Sequence, residues 1–136
     1  MKRLLIEKTS ITPEINFSPD KNLFILKGNS SPEDVRALYY PVIEWIKIFV
    51  NDVIDGEYKN FSPDKPLKMQ ADLDYFNSSS AKFFYDIFIE LKRLTAKNIP
   101  VIIEWYYDQE DEDQHEAGAD IALLVEMEFV FIAKVR

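Results

Sequence analysis

From Leu67 onward the chain switches repeatedly between strand-like and helix-like hydrophobic spacing, and this alternation limits the fold more than any other feature. "LKMQADLDYF" reads as a strand with a largely apolar end. After "NSSS" the spacing becomes helical, with Phe84, Ile87, Phe88, Leu91 and Thr95 on one stripe. That helix should stop near Asn98, ahead of Pro100. "VIIEWYY" is β-branched and aromatic and reads as a strand. "DQEDEDQHEAGADIALL" is an acidic loop running into a helix, and "EFVFIAKV" returns to strand.

The first half adds two strands and a helix. "EINFSPDKNLFILKG" predicts two short strands around a Ser18-Pro19-Asp20 turn, the second starting at Leu23. Ser31-Pro32-Glu33-Asp34 carries helix-start grammar, with Ser31 as N-cap, Pro32 at the first helical position and Asp34 completing a capping pair. Val35, Leu38, Tyr39, Val42, Ile46, Phe49, Val50 and Val53 then form a helical stripe, which Pro41 should kink. Trp45 and Trp105 are most simply core or groove aromatics; Trp45 falls off that stripe and could also contribute to an interface. The expected fold class is α/β: a single domain over 1–136, with a central mixed sheet, helices packed on it and right-handed crossovers.

Composition narrows the function classes. A chain of 136 residues, 47% hydrophobic and 14% aromatic, has enough apolar surface for a real core. A net charge of -8 argues against nucleic acid or an anionic membrane surface as partner, since phosphate binding needs clustered Lys and Arg. No cysteine is present for a disulfide or a thiolate metal site. "MKRLLIEKTS" has too short an apolar run for a signal peptide, and no run approaches the roughly 20 residues of a membrane span. The expected location is the cytoplasm.

Three consecutive serines at a strand-to-helix joint exceed what capping requires. A helix start exposes unpaired N–H groups and the positive end of the macrodipole. Asn77 and Ser78 can serve as ordinary caps. A serine there can also accept a phosphate, which brings about -1.5 to -2 charges and would disrupt a surface fitted to a neutral hydroxyl. At about 100° per residue, Ser80 falls near the stripe of Phe84, while Ser78 and Ser79 fall on the opposite, reachable side. Lys82 also points outward, and Phe83 with Ile89 lies away from the centre of the core stripe, as an apolar docking patch would. Asn77, Ser79, Lys82 and Phe83 are therefore the candidate partner-binding residues.

Other chemistries find less support. Glu110-Asp111-Glu112-Asp113 with His115 and Glu116 lacks calcium-loop spacing, and a lone histidine lacks the companions of a zinc site, so a solvated acidic helix start is expected and no metal or cofactor. There is no Gly-x-Ser-x-Gly elbow and no Gly-rich phosphate loop. A small hydrolase or anion-binding enzyme using the same helix start, and a constitutive scaffold with capping serines, are the alternatives to a non-enzymatic switch.

"YFNSSSAK" (Tyr75 to Lys82), with "TPEI" (Thr12 to Ile15), "VIEW" (Val42 to Trp45) and "WYYDQEDEDQHEAG" (Trp105 to Gly118), resembles the SiaC family of bacterial regulatory phosphoproteins over most of the chain. The resemblance implies a STAS-like fold, similar to anti-sigma factor antagonists, and a partner-switching role. In that role a Ser/Thr protein kinase modifies the protein, a metal-dependent protein phosphatase restores it, and the unmodified form activates a diguanylate cyclase, setting cyclic-di-GMP output and biofilm behaviour. The family's acceptor directly follows the Asn of the motif, which implies Ser78, with Ser79 the second choice. Family members often carry Thr there. Anti-sigma antagonists have Asp before the acceptor and Gly shortly after it; Asn77 and Ala81 depart from that pattern.

Overall fold

The computed structural model describes residues 2–135 and contains one six-stranded sheet with three helices. Strands β1 (Leu4–Ile6), β2 (Glu14–Ser18) and β3 (Leu23–Ser30) form an antiparallel meander. Strands β4 (Leu67–Phe76), β5 (Val101–Asp108) and β6 (Phe129–Lys134) continue from β3 in parallel. Spatial order follows chain order throughout. The α/β class with a mixed sheet is as the alternation predicts, and the arrangement is compatible with a STAS-like fold. The short β1, "LLI", was not among the expected strands.

Helices α1 (Val35–Ile54), α2 (Ser78–Lys92) and α3 (Glu112–Val125) connect the parallel strands. Right-handed crossovers that always step to the next strand place all three on one face. Contacts of α2 with both α1 and α3 agree with this. The strand pattern follows. Leu67, Met69, Ala71 and Leu73 of β4 point inward and are buried, while Lys68, Gln70 and Asp72 alternate outward. The outward face carries a polar ladder: Gln70 Nε2 donates to Glu104 Oε1 (3.0 Å) and Lys134 Nζ pairs with Asp72 (2.5 Å). Between the helices and the sheet, Phe17, Phe24 and Trp105 of the strands and Phe49, Phe84 and Phe88 of the helices are fully buried. Among the described residues no helix is long and apolar enough to cross a membrane.

Several local expectations change. The N-cap of α1 is Asp34, whose Oδ1 accepts from Ala37 N at 3.1 Å. Ser31 does not cap, because the helix starts only at Val35; its N–H is taken by the Ile11 carbonyl (2.8 Å) and its hydroxyl donates to Asn29 Oδ1 (2.9 Å). Helix α1 continues past Pro41, which lies on its exposed side. Trp45 is a half-buried groove aromatic, as its residue type suggested, stacked on Phe49 at 5.6 Å with Phe24 at 5.5 Å. After Lys92 the chain tightens into a 3₁₀ turn, Arg93–Lys97, so Leu94 turns inward and Thr95 is exposed. The change of period from about 3.6 to 3.0 residues per turn accounts for that exchange.

Candidate functional site

The β4–α2 joint gives each of its three serines a different task. Asn77 is extended (φ -86, ψ 169), and its N–H donates to the Ser30 carbonyl at the end of β3 (3.1 Å). Its side-chain Oδ1 accepts from Ser80 N at 2.9 Å and from the Ser79 hydroxyl at 3.2 Å. Asn77, not a serine, is therefore the N-cap of α2. Ser80 is fully buried, and its hydroxyl donates to the Ser30 carbonyl (3.1 Å) while accepting from Ser30 Oγ (2.8 Å). With its proton directed to Ser80, Ser30 Oγ must accept from the Tyr39 hydroxyl, 2.5 Å away.

This relay of Tyr39, Ser30 and Ser80 ties α1, β3 and α2 together inside the core, all three residues being fully buried. Burial raises the Tyr39 hydroxyl well above its ordinary pKa of 10.0, and the Ser30 hydrogen bond offsets part of that. The relay therefore stays neutral and fixed at physiological pH. Ser78, the first residue of α2, is exposed, and among the described residues no side chain hydrogen-bonds its hydroxyl. Helical counting thus placed Ser80 inside and Ser78 and Ser79 outside, as the structure has them.

Next to the joint, Lys82 is exposed, pairs with Asp86 at 3.2 Å and lies 5.3 Å over the Phe83 ring. Phe83 departs from the expected outward patch. It is only 6% exposed, stacked on Tyr39 at 5.4 Å and met edge-on by Tyr40 at 5.7 Å. Ile89 is likewise half-buried. The cause is that α2 packs on α1 as well as on the sheet, which widens its buried arc beyond a single stripe. Tyr40 is the aromatic that sequence reasoning overlooked: it is 55% exposed beside Phe83. Together with Ile43, Lys47, Lys82 and Asp86 it lines a shallow groove of about 360 Å³ between α1 and α2.

Because β3, β4 and β5 run in parallel, α1, α2 and α3 all start at the same end of the sheet as Ser78. The acidic run lies there too. Asp111 caps α3, accepting from Gln114 N at 3.0 Å, and Glu112 and Asp113 occupy the first turn, where the macrodipole favours them. His115 is not directed at Ser78. Its ring stacks on Tyr107 at 4.6 Å and meets Phe131 at 4.9 Å.

Comparison with known proteins decides the family. The model of the SiaC family of regulatory phosphoproteins matches residues 6–134. The chain belongs to the SiaC family. An uncharacterized protein of Pseudomonas aeruginosa strain UCBPP-PA14 is 31% identical over 112 residues, covering 82% of this chain and 81% of that protein. The crystal structure of apo-SiaC from Pseudomonas aeruginosa is similar, with a TM-score of 0.80 and 27% identity, covering 98% of this chain and all of that one. A structure of the diguanylate cyclase SiaD in complex with its activator SiaC, from the same organism, matches with a TM-score of 0.78 and 27% identity, over 98% of this chain and 99% of that one. The β4–α2 joint presents an exposed serine hydroxyl on a backbone fixed by buried hydrogen bonds.

Proposed function

We propose that this SiaC family protein is a non-enzymatic switch whose unmodified form binds and activates a diguanylate cyclase, and whose acceptor is Ser78. The exposed, unengaged Ser78 hydroxyl on a joint locked by buried hydrogen bonds is the observation that carries this reading. Ser79 is the weaker candidate because its hydroxyl already serves the cap. Asn77 shapes the backbone that a kinase and a partner must read. Lys82 and Tyr40 offer exposed contacts beside it, with Phe83 as the floor beneath them.

A phosphate at the first residue of α2 is tolerated by the free protein, since the helix N-terminus favours negative charge. On an opposing surface fitted to a hydroxyl, the same group must be desolvated or expelled, so the complex loses affinity while the fold does not. A Ser/Thr kinase and a metal-dependent phosphatase would set the state of this domain, which spans 1–136 and works in the cytoplasm. Two observations support the non-enzymatic role: among the described residues no side-chain base hydrogen-bonds the Ser78 hydroxyl, and the histidine ring packs between aromatics instead. Phosphosite mapping after treatment with the cognate kinase tests the assignment. One phosphate at Ser78, lost in Ser78→Ala, is expected; modification that persists unchanged in Ser78→Ala refutes it.

A further inference from the structure

Lys82 is the one cation that the sequence places in α2 ahead of Lys92, and it follows Ser78 by four residues. Residues at that spacing are neighbours on one face of a helix, with Cβ atoms about 5–6 Å apart. Cα–Cβ bonds tilt toward the helix N-terminus, so a lysine reaches back over the preceding turn more readily than forward over the next. In the unmodified protein Lys82 nevertheless reaches forward. Its Nζ pairs with Asp86 Oδ2 at 3.2 Å and lies 5.3 Å from the centre of the Phe83 ring. That is the weaker order for an acid and a lysine at this spacing, because the acid is better placed N-terminal to the lysine. The pair is also open to competition, since 73% of the Lys82 side chain is exposed.

We propose, on the reading of Ser78 as the acceptor, that Lys82 is a phosphate clamp: on modification it leaves Asp86 and turns back onto the phosphate. Order along the helix favours the exchange, because the new anion is N-terminal to the lysine and Asp86 is C-terminal to it. Charge favours it as well. A phosphoserine carries about -1.5 to -2 charges and three strong acceptor oxygens, against the single charge of a carboxylate. The exchange carries the modification to a second place. Lys82 and Asp86 belong to the rim of the α1–α2 groove, where Lys47 and Lys82 balance Glu44 and Asp86. Once the phosphate engages Lys82, that cation no longer offsets the acids, and the groove beside Tyr40 and Phe83 turns acidic. A partner fitted to the balanced rim then meets a changed charge there in addition to the phosphate itself.

Phosphoserine installed at position 78 during synthesis of the whole chain tests the clamp without a kinase. In a pH titration followed by phosphorus NMR, the second pKa of the phosphate should be lower in the parent than in Lys82→Gln by about 0.3 unit, a twofold difference in proton affinity. Both proteins keep the same helix N-terminus, so the difference reads the lysine. Lys82→Arg retains the cation and should restore the lower value. By carbon NMR, the Asp86 carboxyl resonance of the parent should move on phosphorylation toward its position in unmodified Lys82→Gln. Equal phosphate pKa values in the parent and Lys82→Gln overturn the proposal, and so does an Asp86 resonance that does not respond. Those results would remove the clamp and leave Ser78 as the acceptor. Kinase mapping that puts the phosphate on another residue would instead remove the acceptor reading, and with it the clamp's place in the switch.

Discussion

Replacing Gly118 by alanine sets two effects of opposite sign against each other at the α3–β5 contact. Inside a helix, alanine is favoured over glycine by about 1 kcal/mol. A Cβ at position 118, however, would lie 2.5 Å from Nε1 of Trp105 and 2.6 Å from its Cδ1 and Cε2. Non-bonded carbons settle at about 3.5–4 Å, so about 1 Å of separation has to be recovered. The indole has nowhere to go: it is fully buried, met edge-on by Phe76 at 5.8 Å and stacked with Phe129 at 6.1 Å. Its Nε1–H also donates to the Gln114 carbonyl at 3.1 Å, a bond worth about 1 kcal/mol that any displacement breaks. Overpacking costs about 1–3 kcal/mol. The steric side wins, and Gly118→Ala should lose about 1–3 kcal/mol net. At about 4 °C per kcal/mol for a domain of this size, Tm falls by about 4–12 °C. Urea unfolding followed by circular dichroism measures the loss, and the near-ultraviolet signal of Trp105 should change with it. A variant as stable as the parent, or more stable, would show that helix propensity decides this site and that the close approach of α3 to Trp105 is wrong.

Asn77→Ala removes the cap of α2 and should cost about 1 kcal/mol in urea unfolding, with Ser79 also released from its hydrogen bond. Tyr39→Phe should change the response to alkali. The folded Tyr39 pKa lies above the unfolded value of 10.0, so its contribution is fully present below pH 10 and is lost as pH rises toward the folded value. The urea midpoint of the parent should therefore fall above pH 10, and Tyr39→Phe should make that fall shallower while leaving Tyr58 and Tyr106, both also raised by burial, to contribute. Ser78→Asp should keep or raise stability by about 0.3–1 kcal/mol, since the added charge sits at a helix N-terminus; a large destabilisation would mean that modification acts by unfolding α2 instead of blocking a surface.

The joint was legible because two periodicities meet there. The period of about 3.6 residues, counted back from Phe84, assigns Ser80 to the core, and the serine burial follows it. The sheet class was legible from alternation alone. What stayed hidden depends on neighbours that a single segment does not encode. Phe83 is buried by α1, not by the sheet, so a one-stripe reading of α2 misplaces it. Ser31 has good cap chemistry, but pairing with Ile11 holds it in the segment ahead of the helix, which starts only at Val35, and Asp34 takes the role. Tyr40 was lost for the same reason: it sits outside the α1 stripe and acquires meaning only beside Phe83. β1 is too short to show a period and exists because β2 offers it an edge.

The affinity of this protein for the diguanylate cyclase proposed as its partner, measured by calorimetry with Ser78 unmodified and with Ser78 stoichiometrically phosphorylated, bears most directly on the switch. The account predicts binding of the unmodified protein and at least about a tenfold loss, roughly 1.4 kcal/mol, on phosphorylation. Equal affinity for the two forms would contradict it.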